Sequence, residues 1–433
     1  MTGASGIRPR PRRPPRAPRA PFPRAGRAWT VLALGLGAQI SGTVFVSAPA
    51  FLIPLLHSER GLTLAEAGLL ASTPTIGMVL TLIAWGALAD RIGEKWVIAG
   101  GLALTALAAV GAIQAQGYVA LGLFFFLGGA ASASANAASG RVVVGWFPKD
   151  RRGLAMGVRQ MAQPLGVTIA ALLVPGIAAS AGVGAAIAVP FVLTAVFAVA
   201  CAIGVVNPPR ASVASPASEG PPAAGSPAAG SPAAGQSARA ANPYRANGFL
   251  WRIHAVSVLL VVPQFTLSTF GLVWLITEVG LDALSAGILV GVSQFVGAIG
   301  RIAVGVLSDR VGSRVRPLAW VAVAASVAML VLAALDAAHW GAAAVVFVIA
   351  TTISVADNGL AFTSVAEVAG SAWAGRALGA QNTAQFLAAS VVGPGVGALI
   401  GLVGFPLAFG LVALFPAAAV PLIPRVSAEQ DRL

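Results

Sequence analysis

The chain has 433 residues, of which 57% are hydrophobic and only 9% charged, with a mean hydropathy of +0.86. Soluble domains carry about 25% charged residues, so a water-facing globule of this size is excluded. The net charge of +13 does not mark a nucleic-acid binder either: eight of the 27 bases lie in the first 28 residues, and nearly all the others fall in alternate loops.

Residues 1–28 are rich in Pro and Arg and offer nothing to bury, so they read as a disordered basic arm. Arg12-Arg13 and Ala48-Pro49-Ala50 resemble parts of a secretion signal. The apolar run between them is longer than a signal core of 7–15 residues, which favours retention on the cytoplasmic side with contact to anionic lipid. Long apolar runs then follow at 29–56, 64–88, 96–115, 117–144, 153–179 and 183–206, and again at 249–276, 284–308, 316–336, 340–368, 376–402 and 404–424. Each suits the roughly 20 residues that a helix needs to cross a bilayer. A membrane β-barrel would show short alternating segments instead. The expected fold is therefore all-α, with twelve spans in two six-helix bundles.

Arg91, Lys95, Lys149, Arg151, Arg152, Arg210, Arg239, Arg245, Arg252, Arg310, Arg314, Arg316, Arg376 and Arg425 all fall on the side of the termini, against Arg60 alone among the bases of the opposite loops. That bias places both termini in the cytoplasm. Residues 207–248 carry the tract Pro222-Ala-Ala-Gly, Pro227-Ala-Ala-Gly, Pro232-Ala-Ala-Gly and read as a flexible cytoplasmic tether between the halves, with a short tail at 425–433. The single cysteine, Cys201, excludes an internal disulfide. His57, His254 and His339 have no metal-ligand spacing.

The halves repeat one another. Gly86-Ala87-Leu88-Ala89-Asp90-Arg91-Ile92-Gly93-Glu94-Lys95 returns 219 residues later as Gly305-Val306-Leu307-Ser308-Asp309-Arg310-Val311-Gly312-Ser313-Arg314, and Gly68-Leu69-Leu70 faces Gly287-Ile288-Leu289 at the same offset. At an offset of 222, Gly153, Gly157, Ala162 and Gln163 match Gly375, Gly379, Ala384 and Gln385, and Asn136 matches Asn358. Glycines four apart read first as helix-packing positions. A duplicated bundle places a substrate site near the bilayer midplane, where the halves meet.

The doubled G-x-L-x-D-R-x-G pattern, with the order of spans over 29–424, resembles the major facilitator superfamily. The resemblance implies alternating access by rocking of the halves, with spans 1, 4, 7 and 10 lining the cavity and 3, 6, 9 and 12 peripheral. It also implies a latch on the cytoplasmic gate, anchored by Asp90 and Asp309, with Arg91 and Arg310 as its cations and Gly86, Gly93, Gly305 and Gly312 allowing close approach. Glu94 and Ser313 stand where the family usually has a base. The drug/proton antiporter marks of that family are absent: Phe125 and Gly128 replace the Arg and Gln of the fourth span, and Gln163-Pro164-Leu165-Gly166 replaces G-P-x-x-G-G.

Polar groups inside spans are costly and mark a pathway or interhelical hydrogen bonds. The candidates for substrate contact are Gln39, Asn136, Gln163, Gln264, Gln294, Asn358 and Gln385. Arg159 and Arg301 join them as anion clamps. At least one of these arginines is expected to snorkel toward the headgroups. Asp357 is the one acid near the middle of a span. Desolvation there penalises its charge, which suits a proton carrier. The function expected is secondary transport of a small polar or anionic solute by a monomer without cofactor or metal, with Asp357 the candidate for proton coupling and the coupling ion itself left open. The alternatives are drug/proton antiport and a non-transporting receptor on the same scaffold. No nucleophile–base pair points to an enzyme.

Overall fold

The computed structural model describes residues 25–147, 155, 158–207, 242–245 and 248–424. The basic arm, most of the 207–248 tether, the C-terminal tail, Gly153 and Gly157 lie outside them. Among the described residues the chain is helical, without strands. Ten helices are long and apolar enough to cross a membrane. Two of these, Val158–Gly204 and Arg376–Leu422, have 47 residues each, about 70 Å of helix against an apolar core of about 30 Å. Each is broken where a glycine takes positive φ, Gly182 (φ 82°, ψ 174°) and Gly404 (φ 77°). The two glycines are 222 residues apart, so the second half turns back at the place where the first does.

Twelve spans result: α1 (Gly26–Glu59), α2 (Leu64–Ile92), α3 (Glu94–Gln114), α4 (Tyr118–Trp146), α5 (158–181), α6 (183–204), α7 (Phe249–Thr277), α8 (Ala283–Val311), α9 (Val315–Ala337), α10 (Ala343–Ala369), α11 (376–403) and α12 (405–422). Residue pattern sets their ends. Thr63 caps α2 in a reciprocal box with Glu66, accepting from the Glu66 amide at 3.2 Å while the Glu66 carboxylate accepts from the Thr63 amide at 2.9 Å. Its counterpart 219 residues on, Asp282, caps α8 by accepting from the Leu284 and Ser285 amides at 3.0 Å each. Gly93 (φ 90°) and Gly312 (φ 64°) end α2 and α8 in conformations that disfavour any side chain.

On the terminus side each bundle is tied shut by its last helix. The Asn207 side chain accepts from the Lys95 amide at 2.9 Å, joining the end of α6 to the start of α3. Arg252, at the start of α7, donates to the carbonyls of Leu422 (2.8 Å), Pro421 (3.0 Å) and Ile423 (3.4 Å) at the end of α12. Those carbonyls are the orphans that a helix end leaves.

Among the described residues the buried apolar side chains form three clusters, and their distribution defines the conformation. One, on the side away from the termini, is shared by both halves and includes Phe45, Leu70, Val174, Phe270, Val290 and Val396. The other two lie on the terminus side, one wholly within each half: Val31, Ile98 and Cys201 in the first, Ile253, Leu318 and Val365 in the second. The bundles are thus joined at the far side and separate toward the termini.

Candidate transport pathway and gate

The far-side closure is made by backbone meeting backbone. A Cβ built at Gly68 (α2) would sit 2.2 Å from the Gly393 carbonyl oxygen of α11, and one at Gly287 (α8) would sit 2.3 Å from that of Ala171 in α5. These are one contact written twice, since Gly287 repeats Gly68 and Gly393 repeats Ala171. Gly397 meets the Leu64 carbonyl oxygen in the same way at 2.3 Å. Thr168 crosses the second seam, donating to the Gly291 carbonyl at 3.3 Å.

Between this closure and the terminus side lies a polar layer at mid-span. In the first half, Gln39 of α1 donates to the Asn136 side chain of α4 at 2.6 Å. In the second, the Asn358 side chain of α10 donates to Gln264 of α7 at 3.0 Å, and Gln385 of α11 donates to Asn358 at 2.9 Å. The same Gln–Asn pair therefore stands in each bundle, on the helices expected to line the cavity. Gln294 reaches Ser268 of α7 at 3.3 Å. Gln163 is partly buried and makes no side-chain hydrogen bond among the described residues.

Neither midplane arginine snorkels, contrary to the sequence expectation. Arg159 turns sideways onto α4, its Nε donating to Ser139 Oγ at 2.9 Å and Nη2 to the Asn136 carbonyl at 3.1 Å, while Nη1 reaches Gln160 at 3.1 Å. Arg301 turns onto α10, its Nε donating to the Val355 carbonyl at 2.9 Å. Polar groups on the neighbouring helix lie closer than the headgroups, and an unpaired charge in apolar surroundings costs more than the bent stem. Asp357 is 1% exposed, and neither of its carboxylate oxygens has a hydrogen-bond partner of good geometry. The charge it senses is that of Arg301.

Nearer the termini, a chain of groups that sequence reasoning missed binds α7 to α11. The His254 imidazole meets the Tyr244 hydroxyl at 2.9 Å and the Gln381 side-chain oxygen, and Gln381 donates to Ser257 at 2.6 Å. Gln381 occupies the repeat position of Arg159, a signal available at the offset of 222. Tyr244, at the end of the tether, also packs edge-on to Trp251 at 5.1 Å, so the tether arrives on the second bundle already anchored.

At the repeated loop, Asp309 pairs with Arg314 at 2.5 Å, and Arg314 pairs with Glu367 of α10 at 3.2 Å. All three belong to the second half, so in this conformation the acid is satisfied within its own bundle. Burial works against the Arg314 charge, but Glu367 and Asp309 more than offset it and raise its pKa above the usual value. Arg91 and Arg310 are exposed. The Asp90 side chain lies outside the described residues. Nothing lies within 4 Å of a Cβ added at Gly86 or Gly305, as expected where the bundles are apart. Gly93 and Gly312 are glycines for their backbone angles, and a Cβ on Gly93 would also strike Asn207 at 2.4 Å.

Two repeated six-helix bundles, with a polar layer between a closed far side and a parted terminus side, define a multi-pass membrane transporter. The family model of the major facilitator superfamily matches residues 33–393, and the chain belongs to that superfamily. It is similar to the uncharacterized MFS-type transporter Rv2994 of Mycobacterium tuberculosis, with 45% identity over 399 residues, covering 92% of this chain and 85% of that one. A shorter stretch is similar to the probable nitrate transporter NarT of Staphylococcus carnosus, 32% identical over 179 residues, covering 41% and 44% of the two chains. Among solved structures, a bacterial homologue of the human lysosomal transporter Spinster, inward-facing and unoccupied, superposes with a TM-score of 0.70 at 16% identity, covering 95% of this chain and 99% of that one.

Proposed function

We propose that this transporter moves a small anion together with a proton by rocking of its halves, 29–206 and 249–424, about the midplane layer. The observation that carries the reading is that Arg301 bonds α10 at the Val355 carbonyl, two residues from the buried Asp357, whose carboxylate oxygens have no hydrogen-bond partner among the described residues. With Asp357 ionised, the two charges balance each other and an anion gains nothing at Arg301. When Asp357 takes a proton, the guanidinium is left with an uncompensated charge and free Nη donors. Proton and anion therefore favour each other's binding, which is the linkage that symport requires. The energetics agree. Entry of one negative charge against an inside-negative potential costs about 2.3 kcal/mol per 100 mV, and a co-transported proton removes that cost. Arg159, held by α4, faces the same layer from the other bundle and supplies a second cationic wall. The similarity to a probable nitrate transporter over part of the chain supports an anion as cargo.

In this reading both termini are cytoplasmic, from the bias of Lys and Arg to their side, and the present conformation opens inward. Closing the cytoplasmic side brings the Asp90–Arg91 and Asp309–Arg310 loops together as the latch, with Arg314 releasing Asp309 to it. The test is uptake by proteoliposomes with an acidic exterior, assayed with nitrate, monocarboxylates, dicarboxylates and sugar acids. Wild type accumulates one of these anions in proportion to the pH gradient, whereas Asp357→Asn still binds it but does not concentrate it. Gradient-driven accumulation by Asp357→Asn, or wild-type uptake indifferent to pH, would remove the proposal.

A further inference from the structure

Consecutive helices α2 and α3 scarcely touch each other, and both pack on α4. They leave a groove of about 590 Å³ on the outer face of the first bundle, walled by Ala84 and Leu88 of α2, Leu104 and Leu107 of α3, and Phe124 and Leu127 of α4. Its floor carries polar groups turned away from it. The Thr81 hydroxyl and the Trp85 indole N–H both donate to the Ala130 carbonyl at 2.7 Å. The wall is therefore almost entirely hydrocarbon, although Leu104 and Leu107 are 50% and 67% exposed.

Length and position match one leaflet. From Thr81 to Leu88 the groove follows α2 for about 10 Å, against about 15 Å for half of an apolar bilayer core. Its lower end stops one helical turn short of the terminus-side end of α2. There Arg91, three residues past Leu88 and continuing the same helix face, is exposed and makes no hydrogen bond or ion pair among the described residues. An apolar slot that spans about 10 Å of the roughly 15 Å apolar depth of a leaflet, ending beneath an exposed guanidinium with no partner among the described residues, is complementary to one kind of molecule. We infer that the groove between α2, α3 and α4 is a binding site for one anionic phospholipid of the cytoplasmic leaflet, its acyl chain in the slot and its phosphate on Arg91. The leaflet assignment rests on the orientation proposed above; the site itself does not.

Because Arg91 belongs to the repeated loop, a lipid held there competes with the latch for that cation. The occupant is tested by native mass spectrometry of the full chain released from nanodiscs containing equal amounts of phosphatidylglycerol and phosphatidylcholine. Wild type is expected to retain one lipid, with phosphatidylglycerol preferred about fivefold, the worth of one basic side chain at an anionic surface. Ala84→Phe, which places a ring in the slot from an exposed position, abolishes retention, and Ala84→Ser keeps it. Arg91→Gln retains a lipid but loses the headgroup preference. If Ala84→Phe fails to fold, Leu107→Trp at the opposite wall serves instead, with the same expected loss. A wild type that retains no lipid, or retains both headgroups equally, overturns the site, as does undiminished retention by the filled variant. The readout involves no transport, so its failure leaves the carrier reading standing, and the reverse holds too.

Discussion

Arg301 and Arg314 are the same residue type put to opposite use. Arg314 is held between two carboxylates at the membrane edge, where its side chain is 10% exposed but those of Asp309 and Glu367 are 65% and 36% exposed. Its partners are largely hydrated, so Arg314→Gln should cost only about 1 kcal/mol, read as a small fall in melting temperature. Arg301 has one backbone bond and a buried acid for company. In the proposed function, replacing its fork with a lysine removes the geometry that would recognise a planar anion. Arg301→Lys should therefore weaken anion binding about tenfold, or about 1.4 kcal/mol, by calorimetric titration, with little change in melting temperature. The sequence identified the polar residues at this scale but not their partners. Gln39, Asn136, Gln264 and Asn358 stood out as costly groups in apolar runs, yet the bonds that pair them cross between helices about 100 residues apart. The expectation for the arginines erred for the same reason, because a snorkelling path is visible in one helix and a sideways carbonyl is not. His254 was weighed only as a metal ligand, and Gln381, although it repeats the position of Arg159, differs from it in residue type, so neither pattern pointed to the bond between them.

Helices are where duplication makes itself most useful. The breaks at Gly182 and Gly404, the caps at Thr63 and Asp282, and the tight crossings at Gly68 and Gly287 all recur at the repeat offsets, and the last of these makes a prediction. Leucine at Gly68 cannot be accommodated, because the nearest atoms are the carbonyl oxygen and carbon of Gly393, backbone rather than a side chain that can swing aside. Gly68→Leu should therefore hold the far side open and abolish transport, and the protein should still fold, since the bundles' own contacts are untouched. A cysteine placed at Ser72 should then react with a membrane-impermeant maleimide at least about tenfold faster than in the parent, the ratio expected when a closed state is displaced by about 1.4 kcal/mol. Equal labelling rates would show that this seam does not gate. The Asp282 cap is a milder case. Its carboxyl is held below the usual value by the Ser285 hydroxyl and by amides of the first turn, so the cap is complete at neutral pH and is lost as the pH falls through that lowered value. Asp282→Ala should melt below wild type at pH 7, with the gap closing in acid. Long apolar runs made the existence of the spans plain from sequence. Their ends were legible to within a few residues, blurred because apolar pattern fades where caps and glycines take over.

For the molecule as a whole, twelve spans, the two halves and the side bearing the bases follow from counting. The conformation does not. Whether the bundles join on one face or the other depends on contacts between residues that any alternating carrier must make and break, so one sequence encodes both answers. The three apolar clusters distinguish them here, one shared and two private. If each half is a body with its own terminus-side core, continuity of the chain between them should be dispensable. Co-expressed fragments 1–224 and 225–433 are expected to assemble and retain most of the parental uptake, whereas either fragment alone has none.

The triple grip of Arg252 on Pro421, Leu422 and Ile423 bears on biogenesis. Its partners close α12, so a ribosome must complete the last of the twelve spans before that guanidinium finds these acceptors. Until then an early helix of the second bundle waits with an unmet cation at the membrane surface, visible to proteases and chaperones that survey unfinished products. Chains stopped before position 405, which lack α12, should therefore be degraded rather than accumulate as eleven-helix carriers, and the cell acquires a check on the second bundle from a single side chain.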